Sequence, residues 1–194
     1  MLRCEGAGRG RVFGKRRGDR LPSIRMTSSG KGSGLVVEMG FRVRYADTDQ
    51  MGRAYYAAYF VWFEAARGAF CRVLGFSYSD LEEAGVFLPV LRTTCRYLRP
   101  LVYEEKAWVA VRLVDCRSRS LLFSYEILTE EGHRAAEGDT YHGFLDRSGR
   151  LVRCPSPFRE RMQQVVVNPA GGRPVRRIRL SETDDAQEAW RMGS

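Results

Sequence analysis

"RYADTDQMGRAYYAAYFVWFEAARGAF", residues 44–70, changes character half-way along. Its first half holds Asp47, Asp49, Gly52 and the tyrosine pair Tyr55–Tyr56; its second half is oily. Tyr59, Trp62, Phe63, Ala66, Phe70, Val73 and Leu74 recur at steps of three and four, which predicts a helix over about residues 57–74 with a wide apolar face. At about 1.5 Å per residue such a helix is roughly 27 Å long, enough to cross a small sheet, and Gly75 is a natural terminator. Upstream, Phe41, Val43 and Tyr45 alternate with Arg42 and Arg44, the pattern of a strand with one wet face. Two acids thus stand at a strand-to-helix crossover.

Beyond the helix, "SDLEE" fits a second, short helix with a capping box between Ser79 and Glu82. From residue 87 the period becomes two. Strands are expected near residues 88–99, 105–116, 120–129 and 134–145, with a short one at 150–153; "TEEGH" and "DRSG" read as hairpin turns in which Gly132 and Gly149 take positive φ. A last helix opens in "CPSPFRERMQQV", with Ser156 as N-cap and Pro157 at its first position. One strand, one long helix and an antiparallel meander make an α+β plan: a five- to six-stranded antiparallel sheet wrapped around the helix. Such a sheet leaves an open edge, and pairing with a second copy is the usual remedy.

The chain of 194 residues, 44% of them apolar, suits one domain with some sequence to spare. Residues 1–34 carry nine basic and two acidic side chains, whereas residues 35–167 carry eighteen and seventeen. The net charge of +9 therefore resides mostly in a Gly/Arg-rich N-terminal arm, expected to be disordered. That arm reads as a nucleic-acid- or membrane-touching segment, as a transit peptide without an amphipathic face, or as an extension without function ahead of Met26. Residues 168–194 lose all period and are expected to form a flexible tail. No apolar run is long enough for a membrane span or a signal core. Five scattered cysteines without a C-x-x-C pair, and only two histidines, argue against a disulfide framework, a metal site and a Ser-His-Asp triad. A reducing cytoplasm is the expected setting.

The acids could open a calcium loop, but Met51 and Ala58 stand where that loop needs an oxygen ligand and a bidentate glutamate. A sugar-nucleotide D-x-D site lacks the doubly wound sheet to hold it. Asp47 reads as a cap of the turn and helix start. Asp49 invites a second reading: a carboxylate ahead of the unfilled N–H groups of Tyr55, Tyr56 and Ala57 adjoins a ready oxyanion site. It could attack a carbonyl carbon or activate a water, and Gly52 would let backbone and ligand approach closely.

The run Tyr45, Asp47, Thr48, Asp49, Gly52, Tyr55, Tyr56, Tyr59, Trp62, Phe63, Glu64 and Arg67 resembles the entry segment of the hotdog-fold acyl-CoA thioesterases, closest to the 4-hydroxybenzoyl-CoA thioesterase group with its Tol-Pal-associated acyl-CoA branch. The likeness continues through "LGFSYSDLEEAGVFLPV", "YLRPLVYEE" and the F-x-x-R-M of the last helix, about residues 36–163. It implies hydrolysis of an acyl-CoA to a free acid and CoA, with no metal and no cofactor beyond the CoA of the substrate. Asp49 matches the catalytic aspartate and Tyr45 a tyrosine near the site. Tyr56 stands where the Tol-Pal-associated branch has histidine and the 4-hydroxybenzoyl branch polarises the thioester carbonyl through a backbone N–H. Ala58 replaces the usual asparagine. Gly52, Tyr55 and Tyr59 are assigned to the substrate pocket, and Arg96, Arg99 and Lys106 to the CoA phosphates. The resemblance implies a homodimer or homotetramer whose site forms between subunits.

Bland readings stand beside these. Tyr59, Trp62 and Phe63 have helix period and suit the core; Glu64 sits one turn before Arg67 and suits an ion pair; His142 lies in a strand and suits a structural role. A non-catalytic acyl-CoA- or acyl-carrier-binding module and a hotdog hydratase or dehydratase are the alternative functions. The latter wants a histidine with the acid, and none lies near the helix. Nucleic-acid binding would fall to the basic arm alone.

Overall fold

The computed structural model describes residues 34–167 and 175–181. The N-terminal arm at 1–33 lies outside the described residues. Ten elements follow one another: β1 (Gly34–Arg42), a single 3-10 turn (Tyr45–Asp47), α1 (Ala58–Val73), α2 (Tyr78–Glu83), β2 (Val90–Tyr97), β3 (Lys106–Cys116), β4 (Ser120–Thr129), β5 (Arg134–Gly143), α3 (Ser156–Gln164) and β6 (Val175–Leu180). The strands form one sheet in the order β2-β5-β4-β3-β1-β6.

α1 lies on this sheet by the face its period predicts. Tyr59, Trp62, Phe63, Ala66, Phe70 and Leu74 are all buried, together with the alternate residues Val109, Val111 and Leu113 of β3 and Leu121, Phe123, Tyr125 and Ile127 of β4. Phe63 lies flat on Tyr125, ring centroids 4.3 Å apart and planes 16° off parallel. Beneath it β5 passes at Gly138, where a Cβ would stand 2.9 Å from the Phe63 ring and 2.3 Å from the Thr94 carbonyl. Only a residue without a side chain lets sheet and helix close to this depth.

Four expectations change. The chain makes no strand at 150–153, only an isolated bridge between Leu145 and Leu151. The sixth strand instead comes from the stretch expected to be a tail: β6 runs parallel to β1, pairing Gly34 with Val175 and Glu38 with Arg179, so the sheet is mixed rather than antiparallel. Arginines at 176, 177 and 179 hide the period of "VRRIRL"; they are accommodated because Glu38, buried on β1, accepts from Arg177 Nη1 at 2.7 Å and Arg179 Nε at 2.8 Å. Burial pushes that carboxyl up, but the two guanidinium groups outweigh it and hold it below its usual range. The Arg179 guanidinium also lies 4.5 Å from the centroid of Trp108, which itself covers Gly40, so β1 has no wet face. Finally, both short helices start earlier than expected. α2 is capped by Ser77 with Asp80 as its reciprocal partner, and α3 by Pro155 with no side-chain cap. The earlier start of α2 puts Tyr78 in its first turn, where its hydroxyl accepts from Arg67 Nε.

That contact belongs to a buried polar cluster. Arg67 Nη1 stands 3.0 Å from Nε2 of the fully buried His142. A guanidinium has no lone pair to offer, so Nε2 accepts and the ring proton sits on Nδ1, facing the Leu88 carbonyl at 3.3 Å. Thr140 Oγ1 bridges Nε2 and the Tyr125 hydroxyl, 2.8 Å from each. Burial, reinforced by the Arg67 charge, pushes His142 down to about 4. His142 is therefore a neutral core residue, as its strand position suggested. No helix among the described residues is long and apolar enough to cross a membrane.

The sign of the resulting pH dependence follows. The unfolded chain binds a proton at His142 near pH 6.5 and the folded chain near 4. The stabilisation is complete above 6.5 and is lost as pH falls toward 4. Urea midpoints measured between pH 7 and 4.5 should fall for the wild type, by up to about 3 kcal/mol in stability, and fall less for His142→Gln.

Candidate active site

After β1 the chain leaves the sheet. Tyr45 ends the apolar alternation and is 79% exposed, edge-on to Tyr103 with ring centroids 5.9 Å apart. A tight hairpin follows, closed by a bridge between Thr48 and Ala54. The Asp49 N–H donates to the Arg53 carbonyl and the Gly52 N–H to the Asp49 carbonyl, both at 2.9 Å. Gly52 has φ +70°, and a Cβ there would meet nothing within 4 Å; glycine answers the backbone angle, and the space beside it is open. The hairpin is stitched to the segment before β3, with Ala54 N–H donating to the Leu101 carbonyl at 2.8 Å.

The two acids in this hairpin have different surroundings. Asp47 is buried. Its Oδ2 accepts from the Arg44 N–H at 3.0 Å and from Arg44 Nε at 2.9 Å, and its carbonyl accepts from the Tyr55 N–H at 2.7 Å. It caps the 3-10 turn and ties that turn to the approach of α1, a structural duty. Asp49 is exposed in the single chain. Its Oδ1 accepts from the Met51 N–H at 2.8 Å and more loosely from Arg53 N–H at 3.4 Å, while no described residue bonds Oδ2. The turn therefore aims the carboxylate without occupying it.

The helix mouth differs from expectation in one respect. Asp47 does not cap α1; the N-cap is Ala57, which has no side-chain acceptor. The Tyr55 N–H is already committed to Asp47 and is not a free donor. The N–H groups of Tyr56 and Ala57 meet no acceptor among the described residues. Two adjacent donors at the positive end of a 16-residue helix remain available to an anion or a polarised carbonyl.

The remaining expected residues sit on several elements. Tyr55 and Tyr56 are exposed with ring centroids 4.4 Å apart. Tyr59 is a core residue against Trp62, as its helix period suggested. Arg96 pairs with Glu137 at 3.1 Å, Arg99 with Glu105 at 3.3 Å and Lys106 with Glu130 at 3.7 Å. The cation of each pair is solvent-exposed and such pairs are individually weak, which leaves each cation able to exchange its carboxylate for a phosphate. Glu64 forms only a loose 3.9 Å pair with Arg67 and is otherwise exposed.

The profile of the thioesterase-like superfamily matches residues 43–166, from the end of β1 through α3. The chain belongs to that superfamily. Among thioesterase-like relatives, "Putative acyl-CoA thioesterase YneP" of Bacillus subtilis strain 168 is 39% identical over 112 residues, covering 58% of this chain and 81% of the relative. The hypothetical protein TT1821 from Thermus thermophilus superposes with a TM-score of 0.64 at 34% identity, over 69% of this chain and 99% of that one. DHNA-CoA thioesterase from Staphylococcus aureus gives a TM-score of 0.63 at 30% identity, over 67% and 88% of the two chains. The helix-in-sheet architecture is the hotdog fold. β6 lies outside the span that matches the superfamily.

The contrast between the two acids is measurable. Asp47→Ala should remove a charged partner of Arg44 and the brace of the turn, destabilising by about 1–3 kcal/mol, whereas Asp49→Asn should leave the urea midpoint unchanged.

Proposed function

We propose that the chain hydrolyses acyl-CoA thioesters at the mouth of α1, with Asp49 as the acting carboxylate. The enzyme class, a thioester hydrolase, rests on superfamily membership and on relatives named as acyl-CoA thioesterases. The observation that carries the mechanism is the pairing of an unfilled Asp49 Oδ2 with the two unfilled N–H groups of Tyr56 and Ala57. The thioester oxygen sits on those donors, which stabilise the negative charge that develops as the carbonyl carbon is attacked. Asp49 either attacks that carbon directly, forming an anhydride that water opens, or takes a proton from the attacking water. In both routes the carbon–sulfur bond breaks, CoA leaves as the thiol, and the acid is released. Acyl-CoA and water suffice; no metal or further cofactor enters the scheme. Tyr45, exposed beside Tyr103, is assigned to the same site.

A backbone donor at position 56 tolerates tyrosine in place of histidine, which favours the 4-hydroxybenzoyl-CoA branch over the Tol-Pal-associated one. The exposed rings of Tyr55 and Tyr56, with Gly52 opening the hairpin and Tyr59 behind, form the acyl side of the site. Arg96, Arg99 and Lys106 serve the CoA phosphates, contributed by a second copy. The support for a homodimer is the edge strand β2: every residue but Cys95 is exposed, including Val90, Leu91 and Tyr97, with Leu98 next along. A bare apolar edge of this kind pairs with another strand or aggregates. A cytoplasmic location completes the proposal.

Asp49→Asn should lower turnover of a responsive acyl-CoA by 10²- to 10⁴-fold, the range for a lost acid–base or nucleophilic group, with KM and CoA binding unchanged; undiminished thiol release would overturn the assignment. Replacing Leu91 and Leu98 together by aspartate should convert the oligomer to monomer in sedimentation and abolish activity with it. A fully active monomer would refute the shared site.

A further inference from the structure

Tyr97, at the end of β2, was assigned no role from the sequence. Its hydroxyl donates to the Tyr56 carbonyl at 3.0 Å. That carbonyl is out of the helix ladder. The residue that would ordinarily bond to it, Phe60, donates its N–H to the Ala57 carbonyl instead, at 3.1 Å. Tyr97 is thus its only partner among the described residues.

The consequence lies on the other side of the same peptide bond. The Tyr56–Ala57 peptide is planar and trans, so its C=O and its N–H point in opposite directions. Holding the oxygen toward β2 turns the Ala57 N–H away from β2, and no described group accepts from it. A hydrogen bond accepted by a carbonyl also strengthens the N–H of that peptide as a donor, by about 10–30% per bond. Resting on the hydrolase reading above, we infer that Tyr97 is a positioning residue of the oxyanion site, fixing and polarising the Tyr56–Ala57 peptide whose N–H meets the thioester oxygen.

The hydroxyl is well placed for this. Its strand end is pinned because the N–H groups of Leu98 and Arg99 both donate to the Ala135 carbonyl, at 2.9 and 3.0 Å. Its ring stands edge-on to the buried Tyr59, 4.9 Å between centroids. Partial desolvation, and then the neighbouring Cys95 thiol, push the phenol up to about 12, so the donor proton is present throughout the neutral range.

Tyr97→Phe removes the hydroxyl and keeps the ring on Tyr59. In the full-length chain, assayed by thiol release from the best acyl-CoA beside wild type and Asp49→Asn, kcat should fall about tenfold. That is less than the 10²- to 10³-fold typical for deleting an oxyanion donor outright, since the N–H remains and only its aim and strength suffer. KM should stay within twofold and the thermal midpoint unchanged. In nuclear magnetic resonance the Ala57 ¹⁵N resonance should shift upon the substitution, and 3-fluorotyrosine at position 97, which retains a donor, should restore kcat. Wild-type kcat in Tyr97→Phe, with wild type active and Asp49→Asn inactive, overturns the Tyr97 role and leaves the hydrolase standing. A fall in kcat accompanied by a matching loss of thermal stability and a raised KM reduces Tyr97 to a structural contact. A wild type that cleaves no acyl-CoA removes the hydrolase reading itself, and Tyr97's role with it.

Discussion

The depth at which α1 sits on the sheet governs everything above it. Phe63 stacked on Tyr125, over a strand that carries no side chain at Gly138, fixes that depth from below. Interiors are close-packed, so a helix seated this way has little freedom to slide or roll. Its N-terminal end is therefore delivered to a set height beside the Thr48–Ala54 hairpin and the end of β2. The polar cluster of Arg67, Tyr78, Thr140 and His142 fastens the helix three turns further on. Rigid support below a site is what lets a few backbone groups at its mouth act with defined geometry.

The division of labour between Asp47 and Asp49 illustrates how a short segment serves structure and chemistry at once. Asp47 spends its carboxylate on Arg44 and its carbonyl on Tyr55, and so takes up the one helix-mouth amide that the hairpin can reach. Ala57 then caps the helix without a side-chain acceptor, where Ser, Thr, Asp or Asn would fill the vacant donors. A poor cap is a local loss of helix stability, and the burial of the aromatic face offsets it. Weak local choices compensated by global packing are the usual mark of a functional position.

Most of the fold could be read from period alone. α1, β3, β4 and β5 lie within one or two residues of the expected spans, because a helix or strand with one buried face writes that face into its sequence. β6 could not be read this way. Its arginines look like tail, and they become strand residues only because Glu38, far away in sequence, is buried opposite them. The acids and glycine marked a turn ahead of α1, and the resemblance supplied a role for Asp49, but the Thr48–Ala54 hairpin that presents it was not read from the sequence. Tyr97 left no such signal: it acts on the carbonyl of residue 56, and a contact from side chain to distant backbone has neither period nor motif. The loss of the Tyr55 donor was equally hidden, since it follows from a carbonyl, a group every residue possesses.

The parallel pairing of β1 with β6 also sets an order of events during synthesis. Glu38 emerges 139 residues before Arg177 and 141 before Arg179. Until those arginines arrive, a nascent chain holds a carboxylate on the outer face of an edge strand with nothing to neutralise it. The early part of the sheet can collapse onto α1, but its border stays unfinished and open to foreign strands until β6 has been made. β6 therefore works as a late-arriving seal, and its emergence is the moment at which the sheet closes that side.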